Sequence, residues 1–379
     1  MSKILYFTTA QDNKKYPEYL SNWTVSPNLS NQNFHNKLIR ALSLAHEVEV
    51  ISVRPINKNF KLNELPEEIV KEEKITWKYV RVKNSRIDKF INLSRRINHI
   101  LEDKYDDNTT IFVDILNLPL LQNAYRLSKS KKLKIIGICT DNPLNISFAN
   151  KYFTDKTIEL TKALDGYISL TTKINEMFND GKKPFVIIDG VTEQVDVEGK
   201  PNIDSEYIYF GGSLMREYGV YSLVDAFNKL ENKNIKLVLA GHHEPKDFKD
   251  YIQGNPNIIY VGALPYHEVI RYEKHAICAV NPRPINPQID NYSIPSKTLE
   301  YLAAGALTIT VDNNLLNKRY EKCLIWAKSG YERDLLDALN KAISMSKEEK
   351  EEMISTCLRT IKKYTSFESL CKIIDEALF

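Results

Sequence analysis

Two successive series of short apolar runs, each alternating with segments of helix length, narrow the folds open to this 379-residue chain more than any other feature. Strands separated by helices form parallel sheets with crossover connections. The first series predicts strands at Ile4–Phe7, Val48–Val53, Ile111–Ile115, Leu133–Cys139, Gly166–Leu170 and Phe185–Ile188. The second restarts at Tyr207–Phe210 and continues through Lys236–Ala240, Ile258–Val261, Ile277–Val280, Leu307–Val311 and Leu324–Trp326. Between the first two strands Phe34, Leu38, Ala41 and Leu42 recur at helical spacing, so that segment is expected to pack on its sheet. The stretch 192–205 is polar and acidic, carries Gly199-Lys200-Pro201, and reads as a linker. The expected fold class is α/β: two Rossmann-like parallel-sheet domains, 1–191 and 206–363, facing a cleft. A last helix from Ser366 to Leu378, with Phe367, Leu370, Ile373, Ile374, Ala377 and Leu378 on one stripe, must cover something. Residues 364–379 are assigned to the completion of the first domain.

Composition removes several classes. Hydrophobic residues make up 43% and charged residues 27%, which excludes wholesale disorder and fibrous repeats. Lys and Arg number 52 against 49 Asp and Glu, a net +3 too balanced for nucleic-acid binding through an overall field. The apolar start breaks at once into Gln11-Asp12-Asn13-Lys14-Lys15, unlike a signal peptide, and no run approaches the ~20 apolar residues of a membrane span. A cytoplasmic protein is expected. The five cysteines, Cys139, Cys278, Cys323, Cys357 and Cys371, show no CxxC pair and are read as small buried apolar residues, not as a zinc site or disulfide framework.

In open parallel sheets ligands bind beyond the carboxyl ends of the strands, so the loops there carry the chemistry. After Tyr207–Phe210 comes Gly211-Gly212-Ser213-Leu214-Met215-Arg216-Glu217-Tyr218-Gly219, then an amphipathic helix. Glycines at such a place let backbone amides approach a phosphate, and Arg216 adds positive charge; the same residues also make an ordinary tight turn. A second block is Ser293-Ile294-Pro295-Ser296-Lys297-Thr298-Leu299-Glu300-Tyr301-Leu302-Ala303-Ala304-Gly305. Pro295 suits the first turn of a helix, whose amides, with Ser296 and Lys297, would form an anion site. Glu300, three residues on, could accept both hydroxyls of a ribose, or simply pair with Lys297.

These blocks, with Gly219, Leu239-Ala240-Gly241, Gly262-Ala263-Leu264-Pro265 and Asn281-Pro282-Arg283 in the same order, resemble the donor domain of the retaining glycosyltransferase family 4, which has a GT-B fold. The resemblance covers Tyr207 to Val311 well and the rest in outline. It implies that Gly212, Ser213 and Arg216 face the diphosphate of a nucleotide sugar, and that Gly262 and Leu264 lie against its base. It also implies that Ser293, Ile294, Pro295, Ser296 and Lys297 form the phosphate site, and that Glu300 holds the ribose. Family members carry Arg where Ser213 stands and Lys where Tyr218 stands. The first glutamate of the family's Glu-x7-Glu signature falls at Tyr292. The variant block with Arg283 resembles enzymes of surface-polysaccharide synthesis and would set Arg283 and Lys297 near the sugar phosphate.

The resemblance assigns the acceptor to the first domain. Thr8-Thr9-Ala10-Gln11-Asp12 lacks the glycines that relatives place after the first strand. Asp141, after Leu133–Cys139, stands where relatives carry a histidine; it could bind the sugar or the acceptor hydroxyl, or open a turn with Asn142 ahead of Pro143. Residues 83–104 alternate Ile87, Phe90, Ile97 and Ile100 with Arg86, Lys89, Arg95 and Arg96: a helix with a solvated basic face, or a peripheral membrane contact near a lipid-linked acceptor. His242-His243-Glu244 lacks a third ligand at suitable spacing, so no metal is assigned. The implied activity is transfer of a sugar, UDP-linked by the family's habit, to a polysaccharide, glycolipid or glycoprotein acceptor, with no cofactor beyond the donor. A nucleotide-sugar epimerase of the same fold and a non-catalytic partner subunit of another transferase are the alternatives. A dinucleotide-dependent oxidoreductase is disfavoured because no GxGxxG follows a strand.

Overall fold

A computed structural model describes the chain except for residues 1, 26, 28, 86–87, 89–91, 102–104, 147–149, 243–244, 287–289, 293, 313–315 and 317. Its contacts fall into two compact units, Met1–Val191 with Phe367–Phe379, and Thr192–Ser366.

The first unit is built on an eight-stranded sheet. Lys3–Thr8 lies at its centre, parallel to Glu47–Ser52 on one side and Thr109–Asp114 on the other. Ile135–Cys139, Gly166–Ser169 and Phe185–Ile187 follow in parallel beyond Thr109–Asp114. Ile4, Leu5, Tyr6 and Phe7 are all fully buried. Both faces of this strand are covered, which is why it reads as a continuous apolar run rather than an alternating one. On the other side, Ile75–Tyr79 pairs with Glu47–Ser52, and Glu68–Glu72 returns antiparallel at the edge. These two strands were not anticipated. The outer one is EIVKE, half to fully exposed throughout, so its polar composition hides it.

Side-chain caps set several helix starts in this unit: Asn117 accepts from the Leu120 amide, Asn150 from Phe153 and Thr171 from Ile174. The helix Leu93–Ile100 buries Leu93, Ile97 and Ile100. The apolar stripe considered for membrane contact is therefore turned into the unit where it is described; the remaining apolar residues of that stripe, at 87, 90 and 91, lie outside the described residues. The terminal helix Phe367–Leu378 packs Leu370, Ile374 and Leu378 into one core with Leu38, Leu42, Val48 and Trp77.

The second unit carries a six-stranded sheet, all parallel, in the order Ile258–Gly262, Lys236–His242, Tyr207–Ser213, Cys278–Asn281, Thr308–Val311, Leu324–Ala327. Ile208, Phe210, Leu237, Leu239, Val280 and Ile309 form its core with Leu223, Val224 and Phe227 of the helix Val220–Asn228. The long helix Lys347–Thr365 opens with a capping box between Ser346 and Glu349. All five cysteines are buried, as expected. No helix among the described residues is long and apolar enough to cross a membrane.

Candidate functional site at the carboxyl edge of the second sheet

The register of the central strands sets the glycines side by side. Gly212 pairs with Gly241 and Ser213 with His242 at the last positions of two parallel strands. Gly241 has φ 149°, and a Cβ there would lie 1.6 Å from the Gly212 carbonyl oxygen. Only glycine fits. Gly219, at φ 79°, turns the chain from the short 3-10 segment Arg216–Tyr218 into the helix Val220–Asn228; a Cβ on it would meet the Pro282 carbonyl oxygen at 2.2 Å. The Asn281-Pro282-Arg283 segment is thus seated on the glycine turn.

The second block forms the helix Ser296–Ala303, with Pro295 at the N-cap position, one residue before the first helical turn rather than within it. Pro295, with no polar side chain, makes no cap hydrogen bond to this start. The helix is fixed from behind. The Gly211 amide donates to Tyr301 Oη at 3.0 Å and the Tyr301 hydroxyl donates to the Gly211 carbonyl at 3.2 Å. Asn281 Nδ2 donates to Thr298 Oγ1 at 2.9 Å, and Thr298 and Thr310 share a hydroxyl contact at 3.2 Å. Three strands therefore hold one helix, with its first-turn amides directed along the helix axis towards its start.

Lys297 and Glu300 sit on that helix as a pair, Nζ to Oε2 2.7 Å. Burial opposes the Lys297 charge, but Glu300, Glu273 and Tyr301 outweigh it and raise the ammonium above its ordinary pKa. The lysine side chain keeps 41% of its surface in solvent, so screening limits the worth of that shift. Lys297 is thus a fixed cation beside a helix start, an arrangement that suits a diphosphate.

The other expected residues are distributed as follows. Gly212 and Ser213 lie at the strand end, half-buried. Gly262 ends its strand at φ 74° with open space around it, and Leu264, just beyond, packs on the cluster containing Tyr209 and Tyr301. Ile294 packs on the cluster of Leu299 and Leu302, Ser296 is exposed, and Ser293 lies outside the described residues. Arg283 pairs with buried Asp290, Nη2 to Oδ1 3.2 Å. Arg216 is exposed, bonded to Asp247 at 2.6 Å, with its guanidinium 3.8 Å from the centre of the Tyr221 ring. Asp141 belongs to the first unit, where its Oδ1 accepts from the Asn142 amide while Asn142 Oδ1 accepts from Leu144, so the Asx turn weighed from sequence is present. His243 and Glu244 lie outside the described residues.

Glu273, Tyr301 and Asp247 were missed by sequence reasoning. Tyr301 was visible within its block but carried no sign of its bond to Gly211. Glu273 is a buried residue of the polar-looking helix Tyr266–His275, where nothing in the sequence marks it.

Comparison with known proteins bears on the fold and on the family of the second unit. Residues 205–344 match the family model described as glycosyl transferases group 1. A search of curated proteins returns no match. Among solved structures, sucrose-phosphate synthase from Thermosynechococcus elongatus superposes with a TM-score of 0.69 at 11% identity, covering 99% of this chain and 98% of that one. Anabaena HepE in complex with UDP and glucose gives 0.62 at 10%, covering 100% and 99%. The lipopolysaccharide outer core galactosyltransferase WaaB gives 0.61 at 14%, covering 100% and 99%. At these identities the likeness establishes the fold, which is GT-B.

Proposed function

We propose that the chain is a retaining glycosyltransferase that takes a sugar from a nucleotide diphosphate donor, UDP-linked, and delivers it to a polysaccharide, glycolipid or glycoprotein acceptor. One observation carries the reading: a helix start with Pro295 at its N-cap, beside a Lys297–Glu300 pair, at the carboxyl edge of a parallel sheet, within the segment that matches the family model. The Ser296 and Lys297 amides and the Lys297 ammonium would offset the charge that develops on the departing diphosphate, with no metal and no enzyme nucleophile required. Glu300 would turn from Lys297 to the ribose hydroxyls, and Gly262 and Leu264 would border the base. Arg283 and Arg216 contribute only if they leave Asp290 and Asp247. Asp141 is assigned to the sugar or the acceptor hydroxyl. HepE, which is described in complex with UDP, UDP-glucose and glucose, supports the choice of base.

The partner-subunit reading is favoured by Tyr292 at the first-glutamate position and by the engagement of Arg216 with Asp247. One experiment separates the two. Binding of UDP, UDP-glucose and related donors is measured by thermal shift on the full chain, with Lys297→Ala and Glu300→Ala alongside. The transferase reading expects stabilisation of the parent by at least one nucleotide sugar and a tenfold or greater loss of affinity in both variants. No shift with any nucleotide at millimolar concentration would sink it. With a donor in hand, the anomeric configuration of the product, read by NMR, tests retention.

A further inference from the structure

Away from the carboxyl edges, three side chains of metal-binding type converge in the first unit. His46 lies in the turn between the helix Leu29–Leu42 and the strand Glu47–Ser52, while Cys371 and Asp375 belong to the terminal helix Phe367–Leu378. One donor atom from each lies within 4.8 Å of the other two. His46 Nε2 is 2.7 Å from Asp375 Oδ1. Cys371 and Asp375 are spaced by four, one helical turn, which sets both on one face.

The surroundings are those of a held ligand set. Ser2 Oγ lies 2.6 Å from His46 Nδ1, so a proton moved from Nε2 to Nδ1 finds an acceptor there and leaves the Nε2 lone pair for an ion. The Phe379 ring stacks on the imidazole with centroids 4.9 Å apart. His46 and Cys371 are buried, but the Asp375 side chain is 34% exposed, which leaves an entry path and room for a water ligand.

We propose that His46, Cys371 and Asp375 bind a divalent transition-metal ion, zinc by preference, that pins the terminal helix to the first unit. An imidazole, a thiolate and a carboxylate suit zinc far better than magnesium or calcium. A water completes a tetrahedron with bonds of about 2.0–2.3 Å, reached by small side-chain rotations. When the ion binds, the Cys371 thiol gives its proton to solvent and the imidazole proton facing Asp375 passes to the Nδ1 side, facing Ser2. No electron moves. The ligands stand 325 and 329 positions apart in sequence, from His46 to Cys371 and Asp375, so no local spacing could reveal them. The site is independent of the donor reading.

The test uses the full chain, stripped with a chelator and titrated first with Co²⁺ and then with Zn²⁺ at pH 7.5. The expected result is a thiolate-to-cobalt charge-transfer band that saturates at one equivalent, is displaced by zinc, and disappears in Cys371→Ser. Asp375→Asn should bind at least tenfold more weakly. Zinc in excess should raise the melting temperature by about 5 °C. No band in the parent, or a band that survives in Cys371→Ser, overturns the proposal. If Cys371→Ser fails to fold, alkylation of the parent decides. Zinc should protect Cys371, read by mass spectrometry, and equal labelling with and without zinc overturns the site.

Discussion

The two sheets end their central strands in opposite ways. After Lys3–Thr8 in the first unit, the loop is closed by side chains. The Gln11 amide donates to Gln32 Oε1, and Gln32 and Asn36 return hydrogen bonds to the Gln11 carbonyl. The Asp12 amide donates to Tyr79 Oη, the Tyr79 hydroxyl to Asp12 Oδ2, and the Lys14 and Lys15 amides to Asp12 Oδ1. After Tyr207–Ser213 in the second unit, Gly212 stands beside Gly241, and the N-cap residue of the neighbouring helix is Pro295, which makes no side-chain cap. One topology thus yields two chemistries. Amides already bonded to side chains have nothing to offer an anion, whereas amides backed by glycine or left at a helix start do.

The largest way to break this contrast is at Gly241. A methyl group there meets the Gly212 carbonyl at 1.6 Å, backbone against backbone, in a conformation that side chains avoid. Gly241→Ala should cost about 4 kcal/mol or more and lower the melting temperature of the second unit accordingly. Gly262→Ala, also at positive φ (74°) but with open space around it, should cost only about 1–2 kcal/mol. Equal losses in the two would mean that the close strand contact is not what demands glycine. On the other edge, Asp12→Ala removes a fully buried carboxylate that accepts from the Tyr79 hydroxyl and from two amides, and should cost about 3 kcal/mol by urea unfolding. A loss under about 1 kcal/mol would show that the side-chain closure of this loop contributes little.

The same contrast explains what could be read in the sequence. All twelve expected strands exist, because buried parallel strands are continuous apolar runs flanked by turns. The edge strand Glu68–Glu72 and its neighbour Ile75–Tyr79 escaped, since the first is largely polar and the second, ITWKY, has a threonine and a lysine among its apolar residues. At the candidate site the glycines and the Lys297–Glu300 spacing were legible, because their chemistry follows from position along the chain. The partners were not: Asp247 on Arg216, Asp290 on Arg283 and Glu273 near Lys297 arise from tertiary packing, which no local pattern encodes. The three cations named from sequence are therefore all paired with carboxylates, Lys297 with Glu300 on its own helix and the two arginines with Asp247 and Asp290.

A smaller effect tests the closed edge through pH. His35 is fully buried, with Nδ1 2.7 Å from Tyr6 Oη and Nε2 3.4 Å from Asp114 Oδ2. Burial lowers its pKa, with Asp114 acting in the opposite sense. The unfolded chain therefore takes up a proton at a higher pH than the folded one does. The stability that depends on neutral His35 is complete above the unfolded value, about 6.5, and declines as pH falls below it. Unfolding free energy should drop between pH 7 and pH 5, and His35→Gln should flatten that slope even though it lowers stability overall. An unchanged slope would assign the acid sensitivity to other groups.

The smallest expected effect is at Arg216, and it sharpens the reading of the open edge. Its side chain is 62% exposed, paired with Asp247 and stacked on Tyr221. To reach a diphosphate it must give up both contacts, so its net contribution is the small difference between two solvated ion pairs. Arg216→Ala should weaken UDP binding by about two- to threefold by calorimetry, against a loss of tenfold or more in Lys297→Ala. Asp247→Asn, which frees the guanidinium without removing it, should leave binding equal or slightly tighter. A tenfold loss in Arg216→Ala would instead mean that Asp247 only holds the cation until the donor arrives, and that the open edge works with two cations rather than one.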